Sequence, residues 1–292
     1  MDAVLNINKP SGMTSFAAVS CVRRLARVKR AGHAGTLDPL ADGVLLVLTG
    51  QATRIATYLE ALPKRYRAVI RLGLETDSFD IMGKVTAEHA VPELDEATLR
   101  PVLACFTGAI MQTPPMFSAL KRDGQPLYKL ARQGIEVERA PRPVTVYALD
   151  LAGIAGTRIT VDVCCSKGTY IRVLAHDIGA ALGCGGTVER LTRLAVGDFV
   201  REDALDLAAA TDGQLRLQAQ SIDHALSFMP AVELDAEQAR ATRHGNSFAV
   251  VAAPASGSPV RLRHDERLLA IGSCRDGAVV HPDVVFEQGP SC

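Results

Sequence analysis

The sequence predicts an α+β protein: a catalytic-sized domain built on a mixed, mostly antiparallel sheet, followed by a small β-rich domain. Two patterns carry this reading. Over residues 1–200, strand-like and helix-like segments follow one another without the regular strand–helix–strand alternation of a doubly wound sheet. Beyond Phe228-Met229-Pro230, short alternating segments lie close together with turn residues between them. The length of 292 residues, 48% of them apolar, is enough for one large or two ordinary domains with real cores. The expected division is 1–229 and 230–292.

Taken in order, Val4-Leu5-Asn6-Ile7 alternates as a strand and stops at the turn Lys9-Pro10-Ser11-Gly12. A helix follows, capped by Thr14 or Ser15, with Ala18, Val22 and Leu25 as its apolar stripe and Arg23, Arg24 and Arg27 largely on other faces. Ala31 to Gly43 reads as a glycine-punctuated loop, Val44 to Leu48 as a buried strand, Ala52 to Leu62 as a helix and Tyr66 to Leu72 as a half-buried strand. Asp95 to Phe106 is expected to be helical, and residues 112–144 to form an irregular, positively dotted insertion. Arg158 to Cys165 reads as a strand with Ile159, Val161 and Val163 on one side, Thr169 to Leu182 as a helix, and Thr187 to Val200 as extended chain. The second domain is expected to hold strands at Ser247–Val251, Val260–Arg263, Arg267–Ile271 and Val279–Phe286.

Composition excludes several classes of chemistry. No run approaches the ~20 apolar residues of a membrane crossing, and the first residues lack a cationic leader, so a cytosolic protein is expected. The seven cysteines include no C-x-x-C pair, and the seven histidines show no ligand spacing, so neither a disulfide framework nor a metal or other cofactor is expected. The formal net charge of zero hides a split: residues 1–200 carry 24 Lys/Arg against 19 Asp/Glu, and residues 201–292 carry 8 against 13. From Ala3 to Leu37 there are six cations and no carboxylate. That face either attracts phosphates or is a solvated helix surface.

The segment Gly32-His33-Ala34-Gly35-Thr36-Leu37-Asp38-Pro39-Leu40-Ala41 concentrates the chemistry. Pro39 confines Asp38 to extended backbone, and the apolar neighbours demand a cation if the carboxylate is to stay ionised. Arg172, in Lys167-Gly168-Thr169-Tyr170-Ile171-Arg172, is a candidate for that cation. The alternatives are an Asx-type turn at Asp38 and a solvated helix position for Arg172.

These residues resemble the catalytic motifs of the pseudouridine synthases, specifically the TruB family, which acts at position 55 in the T loop of tRNA. The resemblance continues through Lys64-Arg65-Tyr66-Arg67, residues 72–80, residues 112–121 and residues 165–172, five blocks in order covering most of residues 4–200. It implies that Asp38 is the nucleophile, Tyr66 the aromatic that stacks on a flipped uracil, and Arg172 the partner of Asp38. It further implies that Tyr170 and Leu191 line the uracil pocket, that Lys9 supports the active-site loop, and that His33 packs where the flipped base leaves the RNA. Lys64 is taken with the substrate-binding set. For Tyr66 and Leu191, core packing is the alternative, and for His33 a satisfied loop histidine. The resemblance implies a tRNA T stem-loop as partner and, more weakly, a C-terminal PUA-like β-barrel; no cofactor, no obligate protein partner and a monomer are expected. The insertion at 112–144 is expected to clamp RNA. Alternative functions are a pseudouridine synthase on another RNA, and an RNA-binding or tRNA-folding protein without catalysis.

Overall fold

The computed structural model describes residues 1–122, 124–250, 257–275 and 278–287. The first part of the chain forms β1 (Ala3–Lys9), α1 (Ser15–Leu25), β2 (Ala31–Ala34), β3 (Asp42–Thr49), β4 (Lys64–Leu72), α2 (Glu96–Ala104), β5 (Gly108–Gln112), β6 (Arg142–Ala155), β7 (Arg158–Cys165), α3 (Ile171–Ala181) and β8 (Gly186–Val196). One large sheet runs in the order Leu205–Asp206, β1, β3, β8, β4, β7, β6, β5, and β2 adds to β3. Only the β3–β8 pair and the pairing of β1 with Leu205–Asp206 are parallel, so the sheet is mixed and mostly antiparallel, as expected.

The apolar run Val44–Leu48 is continuous because β3 is covered on both faces. Leu45 and Val47 join a core with Leu5, Ile7, Val22, Ile70, Val161 and Ile178, beneath α1 and α3. Val44, Leu46 and Leu48 join a second core on the opposite face with Val4, Ile55, Leu59, Leu226 and Met229. Strand β7 shows the expected alternation, Ile159, Val161 and Val163 pointing into the first core. Helix α1 starts where its cap predicts: the Thr14 side chain accepts from the Ala17 N–H, and Ala18 and Val22 are buried.

Three expectations need correction. The glycine-rich stretch after Ala31 is not all loop, because Ala31–Ala34 pairs with Leu46–Thr49 as β2. The helix expected over Ala52–Leu62 is divided into a 3₁₀ segment, Gly50–Ile55, and a short α-helix, Ala56–Ala61. The insertion is less irregular than its composition implies, with a two-residue ladder (Lys121–Arg122 with Gln125–Pro126), a helix Leu127–Arg132, and the start of the 14-residue β6 at Arg142. The alternation of β6 is hidden in the sequence because bulges shift its register between Val146 and Ala148 and again between Leu151 and Gly153.

The C-terminal part contains β9 (Ala231–Glu233), α4 (Ala236–Arg243), β10 (Phe248–Ala249), β11 (Pro259–His264), β12 (Arg267–Arg275) and β13 (Val279–Val285). These strands form an open five-stranded sheet in the order β9-β11-β12-β13-β10, not a closed barrel among the described residues. Val251, the end of one expected strand, lies outside the described residues. Helix α4 was not expected; its Asp235 capping box with Gln238 is the local signal that encodes it. Ile271 and Phe286 of this part complete the second core behind β3. Gln51 Nε2 donates to the Glu287 carbonyl at 2.9 Å and the Glu287 N–H donates back to Gln51 Oε1 at 2.7 Å. Among the described residues no helix is long and apolar enough to cross a membrane.

Candidate active site

The sheet has a gap at its centre. Strand β3 pairs with β8 only at Asp42 and Gly43, while β2 takes the same edge of β3 from Leu46 onward. Residues 35–41 connect β2 to β3, and this segment carries Asp38.

Every backbone carbonyl from Gly35 to Ala41 has a partner. Arg193 donates to the Gly35 and Thr36 carbonyls, each at 3.2 Å, and Ser15 Oγ donates to Leu37 at 2.9 Å. The Ala41 N–H donates to Asp38, the Gly12 N–H to Pro39 at 2.7 Å, Ser11 Oγ to Leu40 at 2.7 Å, and Lys9 Nζ to Ala41 at 2.6 Å. A loop fastened at each peptide holds its side chains in place before a substrate arrives. Gly43 is required because its φ is +104° and a Cβ there would overlap the Arg193 carbonyl.

Asp38 and Arg172, 134 positions apart in sequence, meet here: Arg172 Nε lies 2.8 Å from Asp38 Oδ2. The contact is an ion pair whose angle falls outside that of a well-aligned hydrogen bond. Arg172 is 5% exposed and the Asp38 side chain 35% exposed, so the cation is locked in while the carboxylate keeps an open side. Arg172 Nη1 donates to the Ser78 carbonyl and Nη2 to the Phe117 carbonyl, each at 2.8 Å. A second carboxylate, Asp80, lies 3.5 Å from Nη1. One guanidinium thus faces two carboxylates, which leaves one negative charge uncompensated by it.

Phe79, between Ser78 and Asp80, has φ +61°, a strained value for a bulky residue. Its ring stacks on His176 of α3 at 4.4 Å between centroids. The left-handed residue lets the Ser78 carbonyl and the Asp80 carboxylate turn to the same guanidinium, a use of backbone strain at a site.

Around this pair stand the other expected residues. Tyr66 lies on β4 opposite Arg193 of β8, half-buried against the first core. Burial pushes the Tyr66 phenol up, opposed by the nearby Arg193 guanidinium; the charges of Cys165 and Asp38 add to the rise. Tyr170, at the N-cap of α3, is likewise raised by burial, with Ser118 opposing and Asp38 adding. Leu191 pairs with Ala68 and is buried. Lys9 lies under the loop, fully buried, donating to Pro10, Met13 and Ala41 carbonyls. His33 and Lys64 are grouped with Arg193 rather than with Asp38. Burial lowers the His33 imidazole, and Lys64 is buried with its ammonium on the Glu60 and Leu62 carbonyls.

The matching family patterns run from residue 23 to residue 286, taking in Asp38, Tyr66, Arg172 and Arg193. The N-terminal domain of the TruB family pseudouridylate synthases matches residues 23–171, the tRNA pseudouridylate synthase B C-terminal domain matches 172–231, and a further pattern, pseudouridine synthase II TruB, C-terminal, matches 230–286. The chain belongs to the TruB family of pseudouridylate synthases. Curated relatives called tRNA pseudouridine synthase B include those of Aromatoleum aromaticum, 44% identical over 97% of this chain and 92% of that protein, and Burkholderia pseudomallei, 44% identical over 99% and 98%. Among solved structures, an H/ACA ribonucleoprotein bound to a substrate RNA containing 2′-deoxyuridine aligns with TM-score 0.77 at 25% identity, covering 98% of this chain and 85% of that one.

Within this TruB-family fold, sequence reasoning missed Arg193. It is almost fully buried, and besides the loop carbonyls it donates from Nε to the Val44 carbonyl at 2.6 Å. The available signal was its phase: Leu191, Arg193 and Ala195 all point inward, and an arginine on that face demands buried acceptors. Asp80 was also missed, although its block was noted. We expect Arg193→Met to lower the single-turnover rate by on the order of 10²-fold through misplacement of the loop and of Tyr66, with RNA affinity within a few-fold of wild type. Rapid-quench kinetics and filter binding check this.

Lys9 gives a pH prediction. Burial lowers its ammonium to about 8, partly opposed by Asp42. The folded value lies below the unfolded value of 10.5, so the unfolded chain binds more protons between these limits, and this group's contribution to stability rises from pH 8 to 10.5 and is lost as pH falls back through 8. Urea titrations at pH 7.5 and 10 should show wild type gaining stability relative to Lys9→Met over that interval.

Proposed function

We propose that the protein converts uridine to pseudouridine at position 55 in the T loop of tRNA, with Asp38 as the attacking group. The observation that carries this reading is the ion pair between a half-open carboxylate and a buried arginine, in a loop fastened at every carbonyl. The reaction breaks the C1′–N1 bond, turns the uracil, joins C5 to C1′, loses the C5 proton and takes up a proton at N1, so the product is an isomer and no redox partner or added group is consumed. Attack at C1′, addition at C6 and removal of the 2′ proton all require the same ionised oxygen, which Arg172 favours. A target base in a stacked loop must be flipped out, at a cost of about a few kcal/mol. Stacking on Tyr66, worth roughly 1–3 kcal/mol per base, and packing against Tyr170 and Leu191 offset part of that cost. His33 fills the vacated position in the RNA. Lys9 and Lys64, with their ammonium groups on backbone carbonyls, act by supporting the pocket. Tyr66 and a water are the two candidate acceptors for the C5 proton; because burial disfavours its phenolate, Tyr66 meets the uracil as a neutral ring, which favours water.

Phosphate contacts come from the basic surface before Asp38 and from Lys121, Arg122, Lys129, Arg132, Arg139 and Arg142 of the insertion, which closes on the RNA stem. The Phe117 carbonyl ties the root of that insertion to Arg172. The part from residue 230 onward is a PUA-like module, and the protein works in the cytoplasm as a monomer. A second reading, a synthase directed to another RNA, is supported by the likeness to the H/ACA particle; relatives 44% identical over nearly the whole chain favour tRNA. Tritium release from a tRNA transcript labelled at C5 of uridine separates the two. Release from the intact transcript that disappears when the T loop is altered is expected; release indifferent to the T loop contradicts the target.

A further inference from the structure

Beside the arginines already assigned to phosphates, helix α1 carries an exposed aromatic ring for which the isomerisation itself has no use. Phe16, in its first turn, is 77% exposed. Ser20, Arg23 and Arg24 follow at positions i+4, i+7 and i+8, which puts them on the same side of the helix, and Arg27 lies just past its end with φ +52°. Arg23, Arg24 and Arg27 are exposed, as are Lys29 and Arg30 just beyond. No carboxylate lies within ion-pair distance of any of these five cations among the described residues. The start of the helix is fastened to the active-site loop: Ser15 Oγ accepts from the Leu37 N–H at 2.8 Å and donates to the Leu37 carbonyl at 2.9 Å. Phe16 is therefore attached at the rim of the site, one residue from a direct contact to the neighbour of Asp38.

A single exposed phenylalanine is ordinary, and so is a basic helix face. Their combination is selective. An apolar partner leaves five cations without counter-charge, and an acidic peptide leaves the bare ring without a flat surface to cover it. An RNA strand with unpaired bases satisfies both, because aromatic rings stack on bases while arginines follow the phosphates.

We infer that α1 and the turn after it are an RNA-binding surface in which an unpaired base flanking the target nucleotide stacks on Phe16 and the adjoining phosphates run along Arg23 and Arg24 toward Arg27. The inference rests on the RNA-modifying reading above and adds the group that holds the flanking nucleotide. The test is filter binding of the full-length protein to an unmodified tRNA transcript over a series of salt concentrations. Phe16→Ala should weaken binding by on the order of ten-fold while leaving the slope of log affinity against log salt unchanged, and Phe16→Trp should retain wild-type affinity. The double variant Arg23→Gln/Arg24→Gln should weaken binding and reduce that slope by about 1–2. Equal affinity for Phe16→Ala and wild type overturns the surface, as does a wild-type dimer in sedimentation that Phe16→Ala dissociates. Tritium release by the wild-type protein is measured alongside. If it occurs while Phe16→Ala binds normally, the surface alone fails; if it does not occur, the isomerase reading fails instead.

Discussion

Replacement of Asp38 by alanine is expected to abolish pseudouridine formation while leaving the protein folded and able to bind RNA. The loop around it is held by its main-chain carbonyls, through Arg193, Ser15, Ser11 and Lys9, and none of those contacts uses the Asp38 carboxylate. Arg172 keeps Asp80 and two carbonyls when Asp38 is lost. The variant should thus melt within a few degrees of wild type and bind a tRNA transcript within a few-fold. Deleting an essential nucleophile lowers turnover on the order of 10⁴- to 10⁶-fold, and single-turnover tritium release reads this directly. Asp38→Asn should be equally inactive, because the amide matches the shape without the charge. Residual turnover within ten-fold of wild type in either variant is incompatible with Asp38 as the attacking group.

The second large effect is expected at Arg172, where stability and activity fail together. Arg172→Met removes the cation between Asp38 and Asp80 and leaves the Ser78 and Phe117 carbonyls without their donors. Breaking a buried ion pair from one side costs about 3–5 kcal/mol, and most of that cost is assigned here to Asp80, the more buried of the two carboxylates. Adding Asp80→Asn should accordingly recover part of the lost stability, a non-additive result that urea titration of the two single variants and the double variant can measure. Arg172→Lys keeps the charge but not the planar fork. It should fold better than Arg172→Met yet remain at least about 10²-fold slower than wild type. If Asp80→Asn further destabilises Arg172→Met, the electrostatic account of this centre is wrong.

Much of the centre was readable from local chemistry. The Asp38-Pro39 step, the glycines around it and the demand for a cation are properties of short segments; by themselves these leave an Asx turn and a solvated Arg172 open, and it is the resemblance to the family motifs that pairs the two segments that meet at the ion pair. What stayed hidden depends on pairing across the sheet. Arg193 becomes important only because β8 places it opposite Tyr66 and behind residues 35–36. Asp80 matters only because Phe79 adopts a left-handed backbone that turns it toward α3. The β2 strand escaped notice because Ala-Gly-His-Ala has little intrinsic strand preference, and it is β3 that supplies its ladder. The same holds for the C-terminal sheet, four of whose five strands were legible, while β9, the open arrangement and the shared core with β3 were not.

The most direct test is a crystal structure of Asp38→Asn bound to a T stem-loop RNA. The account predicts a uridine everted from the loop, its base stacked on Tyr66 and its reacting carbon about 3–3.5 Å from the residue-38 side chain. A uridine still stacked within the RNA, or seated in a pocket that excludes residues 38, 66 and 172, would contradict it.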